Sequence, residues 1–212
     1  MDRARGAAIL GALLVGLGLA LQLKLTVGNM MADGATPLEA VWRYFGYFTI
    51  LTNVLVFSVL LRASLRPESR ADLNAPHVEL MAVTSISFVG LVYHALLASR
   101  WDPQGLQKVA DILLHTASPL VFLVFWFLRP RGGLTWRGAL FCALWPAAYA
   151  VYGLTRGAFD GFYAYFFMDP NELSWPQLAL NVAGLSLAFV IGAFAFVALD
   201  DFLSKRTAAK LT

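Results

Sequence analysis

Six stretches of the chain are almost continuously apolar: 5–27, 44–62, 79–98, 109–128, 138–155 and 178–199. Polar residues gather between them. A helix that crosses a bilayer needs roughly 20 mostly apolar residues, and each stretch is close to that length. A transmembrane β-strand alternates every second residue, whereas LVFLVFWFL at 120–128 is apolar throughout. The pattern therefore predicts an all-α polytopic membrane protein. Its six transmembrane helices are expected to form one bundle, with 1–212 a single domain. Six spans occupy roughly 120 positions, which leaves short loops and no room for a soluble domain. The first stretch is too long for a signal-peptide core and lacks a convincing small-residue cleavage site, so it is expected to be retained as a span.

Composition agrees. Hydrophobic residues make up 59% of the 212, charged residues only 14%, and the mean hydropathy is +0.66. A soluble domain carries about 25% charged residues. The single cysteine, Cys142, rules out a disulfide scaffold. The net charge of +3 is unevenly spread. Eleven of the 16 basic residues (Arg3, Arg5, Arg62, Arg66, Arg70, Arg129, Arg131, Arg137, Lys205, Arg206 and Lys210) fall in the terminal segments and in alternate loops. The other five are Lys24, Arg43, Arg100, Lys108 and Arg156. This bias predicts that both termini face the cytoplasm, in the plasma membrane if the source is bacterial. Attraction of the basic face to anionic lipid headgroups accounts for the charge, and nucleic acid is not an expected partner.

Helix starts are marked by Thr36-Pro37, which suggests a short interfacial helix, and by Asp102-Pro103 and Ser174-Trp175-Pro176, which read as N-caps followed by Pro in the first turn. Gly184, Ala188 and Gly192 form a small-residue stripe on the last span. His77 is expected to be solvated, and Arg156 and Asp160 to contact headgroups.

Polar groups inside a bilayer are costly and mark functional positions. On the expected spans Thr49 and His94 lie about 6 Å below the outer edge and His115 about 9 Å, at a rise of 1.5 Å per residue. Tyr149, Tyr152 and Asn181 fall in the same layer. Thr49, Thr52 and Asn53 stand at i, i+3 and i+4, so they share a helix face. Asp111 and His115 stand at i and i+4, so the carboxylate can orient the imidazole. Pro119 has no N–H for the carbonyl of His115, and a kink is expected there.

The chain has no G-x-S-x-G elbow, no H-E-x-x-H, no phosphate-binding glycine loop and no C-x-x-C. What remains is a hydroxyl (Thr49 or Thr52), an imidazole (His115 or His94), a carboxylate (Asp111) and amide or phenol donors (Asn53, Asn181, Tyr152). These are the parts of a nucleophile, a base, its orienter and an oxyanion stabiliser. No cofactor is required. Two membrane histidines at one depth also allow a bis-His haem or a metal site with Asp111. A transporter or channel is a further alternative. It is less favoured because the inner half lacks matching polar residues and no internal repeat is evident.

The run Tyr47-Phe48-Thr49-Ile50-Leu51-Thr52-Asn53, with His115-Thr116-Ala117-Ser118-Pro119, resembles the androgen-induced six-helix membrane hydrolase family and its bacterial relatives. The resemblance implies an integral membrane hydrolase of fatty acid esters of hydroxy fatty acids. It matches Thr49 to the nucleophile and His115 to the base. Lipid or fatty-acyl esters, met from the surrounding membrane lipids, are then the expected partners.

Overall fold

The computed structural model describes residues 2–209; Lys210, counted above among the basic residues of the tail, lies outside them. Among the described residues the chain is helical and contains no strand. Six helices are long and apolar enough to cross a membrane: Arg3–Ala32, Phe48–Leu65, Pro76–Arg100, Gly105–Leu128, Trp136–Asp160 and Trp175–Arg206. The elements are α1 (Arg3–Ala32), α2 (Pro37–Tyr44), α3 (Phe48–Leu65), α4 (Pro76–Val92), α5 (Gly105–Ile112), α6 (Ser118–Leu128), α7 (Trp136–Cys142), α8 (Leu144–Asp160) and α9 (Trp175–Ala208).

Local chemistry explains most boundaries. Thr36 caps α2 through a reciprocal box. Its hydroxyl accepts from the Glu39 N–H, and the Glu39 carboxylate accepts from the Thr36 N–H. Those donors hold the Glu39 carboxyl below its ordinary value. At α9, Pro176 stands in the first turn and Ser174 Oγ accepts from the Gln177 N–H. Asp102-Pro103, by contrast, does not cap the fourth span. The chain stays extended at Gln104, and α5 starts at Gly105, whose φ of +57° suits glycine. The second span starts at Phe48 instead of 44, because α2 ends at Tyr44 and a turn at Phe45-Gly46 intervenes. Thr49 therefore sits in the first turn of α3 and not a full turn below its start. Pro146 lacks the N–H that the carbonyl of Cys142 would need, and the fifth span breaks at Ala143 between α7 and α8.

By its contacts the chain falls into two compact units: Met1–Ala75 with Ile86–Arg129, and Pro76–Ser85 with Pro130–Thr212. In the first, α1 packs against α2, α3, α5 and α6. Val15, Val56, Val59, Leu60, Phe122 and Phe125 are buried there. Its 66–75 loop is pinned by buried Arg129, which donates to the carbonyls of Pro67 at 2.8 Å and Ser69 at 3.0 Å. Arg129, counted above with the basic loops, thus bonds the chain itself.

In the second unit α9 packs against α7 and α8. Buried Asp200 accepts from the N–H groups of Gly132 at 2.9 Å and Leu134 at 3.3 Å, and faces Arg131 at 3.7 Å. One carboxylate so closes the loop before α7. Replacing Asp200 with Ala strips two N–H groups of their acceptor. It should destabilise the protein by about 1–3 kcal/mol in thermal unfolding of the detergent-solubilised chain. An unchanged melting temperature would show that the clamp does not hold the loop.

Candidate functional site

Several polar residues of the first unit meet at two wide helical turns. Ser118 N–H reaches back five residues to the carbonyl of Leu113, so 113–117 form a π turn between α5 and α6. Ala98 N–H reaches Tyr93 in the same way, and 93–97 form a second π turn at the end of α4. Such turns recur at functional positions because they re-aim side chains that a regular helix would stack. Here they carry Tyr93 and His94, and His115 and Thr116.

The first π turn follows from Pro119. Ser118 N–H is taken by Leu113 and Pro119 has no N–H, so neither main-chain donor serves the carbonyl of Leu114. Asn53 Nδ2 supplies it from α3, at 3.3 Å, while also donating to the carbonyl of Thr49 at 2.9 Å. The expected loss at the His115 carbonyl is therefore joined by one at Leu114, and the kink takes the form of the π turn. One amide thus ties the turn bearing Thr49 to the turn bearing His115. Gly90 completes the fit. A Cβ there would lie 3.2 Å from Pro119 Cγ and 3.3 Å from the His115 carbonyl, so glycine lets α4 approach this closely without pushing its neighbours back by a few tenths of an ångström.

His115 is held on several sides. Its Nδ1 lies 3.2 Å from Asp111 Oδ1 and 3.1 Å from the Asp111 carbonyl. Both neighbours accept hydrogen bonds, so Nδ1 carries a hydrogen, and in the neutral ring Nε2 is the basic nitrogen. The Tyr93 ring stacks on the imidazole, with centroids 4.0 Å apart and planes 18° apart. Tyr93 Oη donates to Asp111 Oδ2, and the Trp101 side chain also hydrogen-bonds Asp111. Among the described residues nothing bonds Nε2, and no hydrogen bond joins His115 to Thr49.

The remaining predicted residues divide. Thr49, Thr52 and Asn53 are all buried. Asn53 commits its amide N–H₂ to carbonyls, which leaves its buried Oδ1, an acceptor, unpartnered. Its geometry thus suits a hydrogen-bond donor on a ligand more than an oxyanion. His94 is exposed and engages Thr116 Oγ1 through Nε2 at 3.1 Å, with the Tyr93 ring edge-on to its own. The two imidazoles thus have separate partners and one tyrosine ring in contact with both. Among the described residues no three His, Cys, Asp or Glu side chains are arranged to hold a metal ion.

Tyr152 and Asn181 belong to the second unit and have other work there. Asn181 Nδ2 donates to the carbonyl of Phe167 at 3.0 Å. Tyr152 Oη accepts from Arg156 at 2.8 Å. Arg156, expected at the headgroups, is only 4% exposed and pairs with Asp160 at 3.5 Å. A guanidinium in apolar surroundings needs such partners. Beside it Gly157 receives the Tyr163 ring, 2.2 Å from where a Cβ would stand. Sequence reasoning passed over Tyr93, Gly90 and Thr116. The available signal was a buried aspartate in a span, which needs donors besides one histidine.

Replacing Asn53 with Ala should cost about 1–3 kcal/mol, since it orphans a buried carbonyl. Pro119→Ala restores an N–H to the same region. In that background the cost should shrink by about 1 kcal/mol in a double-mutant cycle of unfolding free energies. Strict additivity would contradict the link between the proline and the amide. No protein-family model matches this chain, and no curated protein or solved structure matches it.

Proposed function

We propose that this chain is an integral membrane hydrolase of lipid esters, with Thr49 as nucleophile and His115 as general base. The observation that carries the reading is the Asp111–His115 pair, which commits Nδ1 and leaves Nε2 open as the base. Two further features support it. Thr49 stands in the first turn of α3, whose positive end favours an oxygen that develops negative charge. Asn53 bonds the carbonyls of both Thr49 and Leu114, which keeps the two turns together. The likeness of the Thr49 and His115 runs to the six-helix hydrolases points to the same pair and to fatty acid esters of hydroxy fatty acids as substrates.

In this reading His115 Nε2 takes the Thr49 hydroxyl proton as Oγ1 adds to the ester carbonyl. The tetrahedral adduct collapses, and the leaving alcohol takes the proton from Nε2. Water then gives a proton to Nε2 and attacks the acyl-threonine. The carboxylic acid departs, and the Thr49 oxygen is reprotonated. Asp111 stabilises the imidazolium formed at each stage. The basic loops favour an orientation with both termini in the cytoplasm, in the plasma membrane of a bacterial source. In that orientation the site lies toward the outer leaflet, where long acyl chains and water meet.

Purified protein in nanodiscs should hydrolyse a long-chain ester. Thr49→Ala and His115→Ala should each lower turnover by about 100-fold or more. Asp111→Asn should also slow it, through the lost charge and the lost hold on the ring. Full activity in Thr49→Ala would remove Thr49 from the mechanism, and Thr52→Ala tests the hydroxyl one turn away.

A further inference from the structure

We propose that Tyr93 is the residue that positions His115, acting as a brace between two π turns. The inference rests on the hydrolase reading for its purpose, since a fixed Nε2 matters only if that nitrogen is a base.

Three contacts carry it. The Tyr93 ring covers one face of the imidazole at 4.0 Å and nearly parallel, so the ring cannot swing toward that side. The hydroxyl donates to Asp111 Oδ2, the oxygen that His115 does not use. Tyr93 therefore constrains both members of the pair, one by packing and one by hydrogen bonding. The same ring meets His94 edge-on at 5.1 Å, and His94 in turn holds Thr116, the neighbour of His115. The groups shown against the imidazole are Asp111, four residues back along the chain, and Tyr93 from the π turn that follows α4.

The placement is built into the backbone. Gly90 lets α4 rest against Pro119 and the His115 carbonyl. Tyr93 is three residues further on, hence on the same helix face, and reaches the imidazole one turn along. The π turn that begins at Tyr93 widens the helix there. The residue is 8% exposed, so its ring is enclosed by the chain and does not serve as a membrane-interface anchor. A histidine whose only orienting partner lies four residues away on its own helix could rotate with that helix. A brace from a second helix fixes the ring itself, while Asn53 ties its turn to the turn of α3 that carries Thr49.

The test uses nitrogen-15 NMR of the full chain in nanodiscs with labelled histidine. The chain has three histidines, so His115 is assigned by subtraction with His115→Gln. In the native chain His115 should report one neutral tautomer, protonated at Nδ1. Tyr93→Phe keeps the stack and loses the hydroxyl, and it should move His115 toward a mixture of tautomers. Tyr93→Leu should do so further. A His115 spectrum unchanged in Tyr93→Phe and Tyr93→Leu, with both variants folded, would overturn the proposal. A variant that misfolds is replaced by Tyr93→Met, which keeps much of the bulk but neither the ring nor a donor, and the same shift is expected. Ester turnover supplies a second readout. Tyr93→Phe should lower kcat about tenfold with KM nearly unchanged. A rise in KM alone would overturn it. If the native chain hydrolyses no ester, the hydrolase reading fails, and the NMR result still decides the role of Tyr93.

Discussion

Within a long apolar helix no water stands ready to complete a broken main-chain hydrogen bond, and much of the site follows from that constraint. Pro119 sits in the middle of an apolar span and withholds an N–H. The helix answers by widening into a π turn, and the turn leaves the Leu114 carbonyl without a main-chain donor. Asn53 donates to it from α3. A polar side chain that would be a liability elsewhere in a span is here a requirement. The same turn points His115 at Tyr93, and Gly90 gives α4 the room to bring Tyr93 there. Backbone bonding, helix packing and site geometry are one connected arrangement in the first unit.

Charge is handled in the same manner at four buried positions. Asp111, Arg129, Arg156 and Asp200 are all buried, and each has partners within hydrogen-bonding or ion-pairing reach. Two of them close loops. Arg156 joins Tyr152 and Asp160 on one helix. Only Asp111 is bonded to an imidazole whose other nitrogen is left open. That distinction, and not burial, sets Asp111 apart from the other three, since all four are buried.

The six long helices were legible in the sequence because each is a continuous apolar run of about the length a span needs. The Thr36 and Ser174 caps were legible because capping is local. Asp102 failed as a cap because the chain stays extended at Gln104 and α5 starts at Gly105, whose positive φ the Asp-Pro pair does not announce. The pairing of Asp111 with His115 could be read from an i, i+4 spacing. Tyr93 could not, since the contact crosses between helices and depends on two π turns that spacing alone does not reveal. Layering by depth grouped Tyr152 and Asn181 with the rest. It measured height along a span and carried no information about which neighbours each side chain meets, and both engage partners of the second unit.

The central claim is that a threonine hydroxyl in a membrane helix is made nucleophilic by an imidazole held through Asp111. Covalent capture tests it most directly. A lipid-like fluorophosphonate would be added to the native chain in nanodiscs, and the modified peptide located by mass spectrometry. The account predicts an adduct on Thr49 that disappears in His115→Ala. An adduct on Thr52, on Thr116 or on any other residue, or labelling of Thr49 that persists without His115, would contradict it.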